Sequence, residues 1–183
     1  MDSDRELVLA LRARKPGAFD QLYAQASERI WRFLCRLAGA GAEDLFQETW
    51  LAAARHVHRV RADTELLPWL YTIARNKHRN HLRTWARQAQ GWRGLGQRGS
   101  APTVPLDEQV DARREAERTA EALARMPDAQ REVLLLCVVE GFGTATVARV
   151  LACSEDAVRK RLSRARRELA RQCGRDESEG GEP

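Results

Sequence analysis

The chain has 183 residues, and its 31 lysines and arginines exceed its 26 acidic residues to give a formal net charge of +5. This length accommodates one ordinary domain or two small ones, and the positive charge suits a polyanionic partner. No apolar run approaches the roughly 20 residues that cross a bilayer, and no signal-peptide core follows Met1, so we expect a cytoplasmic protein without membrane insertion.

Helical periodicity dominates the first block of the chain, Asp2 to about Gln88. Four helices are predicted there, and we find no credible strand pattern. The first is capped by Asp2-Ser3-Asp4 and ended by the break at Pro16-Gly17, and the second has an apolar face from Phe19 to Leu37. The third runs from Ala42 to about Val57, and the fourth runs from Asp63-Thr64 to Trp85.

The rest of the chain divides into a linker, a second helical block and a tail. Gly91 to Pro105 is rich in Gly, Pro and Ser without periodicity, which indicates a flexible linker. Three or four helices follow from about Asp111, and the acidic, Gly-rich tail Gly174–Pro183 has a composition typical of disorder. We therefore predict an all-α fold with two small helical domains. The predicted bounds are 1–88 for the first domain, 89–110 for the linker, 111–173 for the second domain and 174–183 for the tail.

Two short helical patterns lie close together in the second block. The first has small and apolar residues at helical spacing, namely Ala145, Val147, Ala148, Val150 and Leu151. Ala152-Cys153 forms the turn, and Ser154 is a good N-cap for the second helix. A helix, a tight turn and a helix with a cationic outer face make the helix-turn-helix pattern, whose second helix enters the DNA major groove.

The second of these helices carries a large excess of cations. Its predicted inner face consists of Ala157, Val158, Leu162, Ala165 and Leu169. Its cations, set against only Glu155, Asp156 and Glu168, are Arg159, Lys160, Arg161, Arg164, Arg166, Arg167 and Arg171. An Arg-rich amphipathic helix is often just a solvated face, but this excess behind a small-apolar helix favours nucleic-acid binding.

Cysteine and histidine spacing does not favour a metal site. The four cysteines are scattered without a CxxC pair, which argues against zinc and disulfides. His56 and His58 are two residues apart and point away from each other on a helix. His78 and His81 could share a face, but the cations around them indicate a DNA-facing surface instead. We predict no metal and no cofactor.

A polar stripe is predicted on the third helix. Asp44, Gln47 and Glu48 are three and four residues apart and therefore share one exposed face. Leu45 and Trp50 can be buried on the other side. Taken alone, such a stripe is by default an ordinary solvated face.

A second polar set recurs at helical intervals along the fourth helix. Its members are Thr72, Arg75, Asn76, Arg79, Asn80 and Arg83. Guanidinium groups in such a set can bind phosphate, and amide groups can bind base edges. The apolar residues of the same helix are interpreted as core, namely Trp69, Leu70, Ile73, Ala74 and Leu82.

The second block resembles region 4 of bacterial RNA polymerase sigma factors. The resemblance rests on Met126 to Leu136, on Gly141-Phe142 with Ala145 to Leu151, and on Val158 to Arg166; Ala152 stands where this turn often has Gly. It implies that the upstream (−35) promoter element is bound by Arg159, Lys160, Arg161, Arg164 and Arg167.

The first block resembles region 2 of the extracytoplasmic-function sigma factors, with Ala42 to Leu51 similar to region 2.2 and Leu67 to Arg83 similar to regions 2.3 and 2.4. The resemblance implies that the stripe Asp44, Gln47 and Glu48 binds the clamp of the polymerase largest subunit. It also implies that the polar set of the fourth helix binds the downstream (−10) element, with Asn76 and the loop Asp63–Pro68 matching the positions that capture a flipped base.

The resemblance implies a sigma factor that binds core polymerase through clamp and flap, recognises −35 and −10 elements in promoter DNA, and initiates transcription at a stress- or signal-responsive regulon. We expect a monomer when free, and whether an anti-sigma factor binds it stays open. The alternative is a helix-turn-helix regulator acting without core polymerase, which would leave Ala42–Arg83 without a role and would normally dimerise. An enzyme is disfavoured because the sequence lacks a phosphate-binding loop and a nucleophile elbow.

Overall fold

The structure, a computed structural model, describes the backbone of residues 2–91 and 110–172 and the side chains of residues 4–87 and 118–172. Most of the predicted linker and all of the predicted tail lie outside these ranges. Within them every regular element is helical and no strand occurs, which confirms the all-α prediction. The chain forms two compact units, Met1–Pro102 and Thr103–Pro183.

Eight α-helices are present in the described ranges. They are α1 (Asp2–Arg12), α2 (Ala18–Ala38), α3 (Ala42–His56), α4 (Leu66–Gly91), α5 (Val110–Arg125), α6 (Asp128–Leu134), α7 (Thr144–Leu151) and α8 (Glu155–Gln172). Short 3₁₀ turns, Gly39–Gly41 and Val57–Arg59, precede and follow α3. A π-helical turn, Leu135–Val139, continues α6.

The breaks around α2 are made by residues that a helix does not tolerate. Gly17 has φ 78° and Gly39 has φ 60°, both in the left-handed region that favours glycine. The N–H of Gly39 donates to the carbonyl of Cys35 and so satisfies one of the last carbonyls of α2. The predicted break at Pro16-Gly17 is confirmed.

In the first unit, α3 packs against α2 and α4, α2 also contacts α4, and α1 packs on α2. The Phe33 ring of α2 meets the Tyr71 ring of α4 edge to face, with centroids 4.9 Å apart, and both side chains are fully buried. Burying one such side chain contributes about 1.5–3 kcal/mol. Tyr71 was not among the core residues predicted for its helix, yet its side chain is fully buried.

Helix α4 differs from the prediction at both ends. It begins at Leu66 rather than at Asp63-Thr64 and continues to Gly91 rather than ending at Trp85. Of the expected loop Asp63–Pro68, the last three residues belong to the first turn of α4. Pro68 is compatible with this first turn because a proline there removes no intrahelical hydrogen bond. The candidate base-capturing segment is therefore part loop and part helix.

In the second unit, α8 packs against α5, α6 and α7. The apolar side chains that this packing buries include Met126, Val133, Leu136, Val147, Val150, Leu151, Val158 and Ala165. Four of the five small and apolar residues at helical spacing in α7 are buried, namely Val147, Ala148, Val150 and Leu151, whereas Ala145 is exposed. Ala145 lies in the first turn of α7.

Candidate functional site

Helix α3 presents the polar stripe to solvent. Asp44, Gln47 and Glu48 are all exposed, while Leu45 and Ala53 are 1% and 0% exposed on the opposite side. Helix α3 holds this orientation because its apolar side is packed against both α2 and α4.

Leu51, which was not among the predicted site residues, adds an exposed apolar side chain beside this stripe. Leu51 lies four residues after Gln47 and three after Glu48, which puts the three side chains on one face. Leu51 is 58% exposed. A leucine at this helical spacing from two polar residues was the available signal. The stripe therefore combines charge, an amide and an exposed apolar surface.

An ion pair connects the stripe with the neighbouring helix. The Lys77 ammonium of α4 lies 3.1 Å from a carboxylate oxygen of Glu48 on α3. The two side chains are 33% and 55% exposed, so the pair is at the surface, where such pairs contribute little to stability. The pair places a cation of α4 in direct contact with the polar stripe of α3.

Helix α4 brings most of its predicted polar set to the surface. Asn76, Arg79, Asn80 and Arg83 are all exposed and recur at intervals of three and four residues. Thr72 is half-buried, and its hydroxyl donates to the carbonyl of Pro68 at 2.9 Å. The exposed members form a surface with two guanidinium groups and two amides.

Two residues of α4 were expected on the DNA-facing surface but are buried. Arg75 is 5% exposed and His78 is 4% exposed. Both follow the fully buried Tyr71 and Ala74 at helical spacing, which places them on the side that packs against α2 and α3. His78 and His81 therefore do not share an exposed face, since only His81 is exposed.

The segment before α4 contains a further ion pair. Arg61 Nε donates to a carboxylate oxygen of Asp63 at 3.0 Å, and the Arg61 guanidinium holds the pKa of Asp63 below its usual value. Asp63 therefore stays ionised and bound to a neighbour of its own segment.

In the second unit the helix-turn-helix has the predicted form. Ala152 adopts the left-handed conformation, with φ 50° and ψ 52°, at the turn between α7 and α8. The Ser154 hydroxyl accepts a hydrogen bond from the Ala157 N–H at 3.2 Å, which confirms the N-cap. The Thr144 hydroxyl donates to Glu155 at 3.1 Å and so connects the starts of α7 and α8.

Most of the predicted cations of α8 are exposed. Arg159, Lys160, Arg164 and Arg167 are all open to solvent. Arg161 is half-buried, and its guanidinium lies 3.8 Å from the Cys153 sulfur in the turn. The inner face buries Val158 and Ala165, and the other three predicted inner residues are half-buried. Helix α8 thus has a cationic outer face over a small apolar contact.

The first turn of α8 pairs its two acids with two of these cations. Glu155 lies 3.5 Å from Arg159, and Asp156 lies 2.9 Å from Lys160. The Lys160 ammonium lowers the pKa of Asp156 below its usual value. Near the other end of α8, Arg171 and Gln172 donate to Glu168 and lower the pKa of its carboxyl to about 2.

Within the described residues, no group of three or more His, Cys, Asp or Glu side chains could hold a metal ion. None of the helices described is both long and apolar enough to cross a membrane.

Comparison with known proteins supports the resemblance along both units. Residues 22–88 match the family model for Sigma-70 region 2, and residues 116–169 match the one for Sigma-70, region 4. The ECF RNA polymerase sigma factor SigM of Mycobacterium tuberculosis is 32% identical over 185 residues, which covers 94% of this chain and 85% of SigM.

Two solved structures are similar to the chain as well. The first is the sigma factor RpoE in complex with the anti-sigma factor NepR from Bartonella quintana, with a TM-score of 0.79, 25% identity, and coverage of 87% of this chain and 99% of that one. The second is CnrH in complex with the cytosolic domain of CnrY, with a TM-score of 0.71, 26% identity, and coverage of 95% and 99%. The chain therefore belongs to the extracytoplasmic-function sigma factors of the sigma-70 family, which bind core RNA polymerase and promoter DNA and initiate transcription.

Proposed function

We propose that three separate surfaces of this sigma factor bind the polymerase clamp, the −10 element and the −35 element. The α3 stripe Asp44, Gln47 and Glu48 binds the clamp of the polymerase largest subunit. The exposed polar face of α4 binds the −10 element, and the outer face of α8 binds the −35 element. Region 2 then corresponds to residues 1–88 and region 4 to residues 111–173, with 89–110 as linker and 174–183 as tail.

The observation that carries this proposal is the exposed chemistry of the three helices. The α3 stripe is acidic and polar and suits a cationic partner surface. The α4 and α8 faces carry guanidinium, ammonium and amide groups, which are the groups that bind phosphates and base edges. A helix-turn-helix regulator would use only the last of these surfaces.

We extend three further points to this chain from its family. It contributes binding and promoter opening rather than catalysis of its own, since the polymerase makes the RNA. It acts in the cytoplasm, where the polymerase and promoters are. Because the similar RpoE is bound to the anti-sigma factor NepR, an anti-sigma factor also controls this chain, and the regulon responds to the signal that releases it.

Polymerase binding tests the α3 assignment. Asp44→Arg/Gln47→Arg places two cations where the clamp meets the stripe, so we expect its affinity for core polymerase to fall at least tenfold, with the helical circular dichroism unchanged. Asp20→Arg/Gln21→Arg is the matched control, because both residues are exposed on α2 and the charge change is the same. Equal losses in the two variants, or no loss in the α3 variant, would contradict the assignment.

Transcription in vitro tests the function as a whole. Core polymerase with this chain is expected to produce run-off transcripts from a promoter library, and their sequences will define the two elements. A regulator that acts without core polymerase would give neither stable core binding nor new start sites.

A further inference from the structure

The ion pair between Glu48 and Lys77 joins two surfaces that serve different partners. Glu48 belongs to the α3 stripe, and Lys77 follows Asn76 of the α4 face. The Lys77 Nζ to Glu48 Oε2 distance is 3.1 Å, which is a direct contact. Glu48 of the polymerase-binding surface therefore forms an ion pair with a cation, Lys77, that lies beside the DNA-binding surface.

The position of Lys77 on α4 allows its ammonium to contact either Glu48 or a DNA phosphate. At about 100° per residue, Lys77 lies roughly 100° around the helix from Asn76 and roughly 60° from Asn80, at the edge of the exposed face. Its side chain is one-third exposed. The flexible four-carbon stem of lysine allows the ammonium to turn from Glu48 toward a phosphate that lies along Asn80.

We propose that Lys77 is a further DNA-binding residue, which Glu48 holds in the free protein and releases when Glu48 binds the polymerase clamp. The inference rests on the proposed role of the α3 stripe. While the pair is intact, Lys77 adds no net positive charge to the α4 face. Once the clamp takes Glu48, the ammonium is free to bind a phosphate of the −10 strand.

The consequence is a coupling between polymerase binding and DNA binding. Because coupling free energy is reciprocal, the binding of Lys77 to DNA favours the binding of Glu48 to the clamp as much as the reverse. Removal of Lys77 by mutation likewise frees Glu48 for the clamp. Each partner then favours the other through one surface ion pair. A cation that served DNA alone would have no effect on polymerase affinity.

The first test measures how salt weakens binding of the isolated chain to a labelled, random-sequence single-stranded oligonucleotide. Each phosphate neutralised contributes about −0.7 to the slope of log affinity against log salt concentration. Glu48→Gln frees Lys77, so its slope should be steeper than wild type by about 0.7. Glu48→Gln/Lys77→Gln should return to the wild-type slope.

Glu43→Gln is the matched control for this test. Glu43 is an exposed acid on the same helix, and its loss changes the net charge by the same amount. At about 100° per residue it lies roughly 140° around α3 from Glu48. Equal slopes for wild type and Glu48→Gln, or an equal steepening in Glu43→Gln, would overturn the proposal.

The second test measures affinity for core polymerase without DNA. Lys77→Gln should bind core about two- to fivefold more tightly than wild type, which corresponds to the usual strength of an exposed ion pair. Arg87→Gln, which removes an exposed cation later in α4, should bind like wild type. Unchanged or weaker binding by Lys77→Gln overturns the coupling. If wild type itself fails to bind core, the proposed function fails instead, and the salt test still decides whether Glu48 holds Lys77.

Discussion

Arg131 of α6 donates from its Nε to the carbonyl oxygen of Leu123 near the end of α5, at 2.6 Å. The same guanidinium donates to the carbonyls of Ala124 at 2.7 Å and Met126 at 2.8 Å. The last carbonyls of a helix lack an intrahelical partner, and this one guanidinium donates to three carbonyls at the α5–α6 junction, of which that of Leu123 also accepts from the Met126 N–H. Arg131 is 8% exposed and lies 3.5 Å from Asp128.

Arg131→Met should destabilise the second unit by about 2–4 kcal/mol, because it removes the guanidinium donor of the Ala124 and Met126 carbonyls and leaves Asp128 without its cation. Urea unfolding of the full chain, followed by circular dichroism, measures this. Trp31, Trp50, Trp69 and Trp85 belong to the first unit, and no tryptophan follows residue 92, so the tryptophan fluorescence transition is an internal control that should not move. A parallel shift of both transitions would show that the effect is not confined to the second unit.

Ala152→Gly should stabilise the second unit by roughly 0.5–1 kcal/mol. Ala152 has φ 50°, where a Cβ costs about 1–2 kcal/mol, and glycine regains part of this after its larger unfolded-state entropy is deducted. Ala145→Gly, in the exposed first turn of α7, is the matched control and should destabilise by up to about 1 kcal/mol. Opposite signs in the two variants are expected in the same urea experiment, and a loss of stability in Ala152→Gly would contradict the strain.

Arg159→Ala and Lys160→Ala should relax the −35 preference at individual positions, at a cost of about 1–3 kcal/mol for a base-reading contact. These residues lie toward the N-terminal end of α8, the end of a recognition helix that contacts base edges. Arg164→Ala and Arg167→Ala lie further along and should weaken all sequences alike while reducing the salt slope. A promoter-library selection measures both effects, and an unchanged −35 consensus in the first pair would refute their role.

Asn76→Ala should bind core polymerase and form a closed promoter complex but fail to melt the −10 element. Unpairing a base costs a few kcal/mol and needs a compensating contact, and Asn76 is an exposed amide on α4. Permanganate footprinting of unpaired thymines measures melting. A template already mismatched across the −10 element should restore most of the activity, whereas equal melting of the duplex by wild type and variant would remove Asn76 from the site.

The sequence was sufficient where a property depends on local spacing. The exposure of Asp44, Gln47 and Glu48 follows from their separation by three and four residues on an amphipathic helix, and the cap at Ser154 follows from its place before α8. The family could also be identified from the sequence, because motifs similar to region 2 and region 4 follow each other in this order along the chain.

Tertiary packing decided what local spacing leaves undetermined. Polar periodicity placed Arg75 and His78 with the exposed residues of α4, yet α2 and α3 cover that side of the helix and bury both. The contact of Lys77 with Glu48 joins residues far apart in the chain, and no helical period relates them. The sequence by itself determined which residues each helix could expose, whereas the packing of helices against one another determined which of them reach solvent and which cations are already paired.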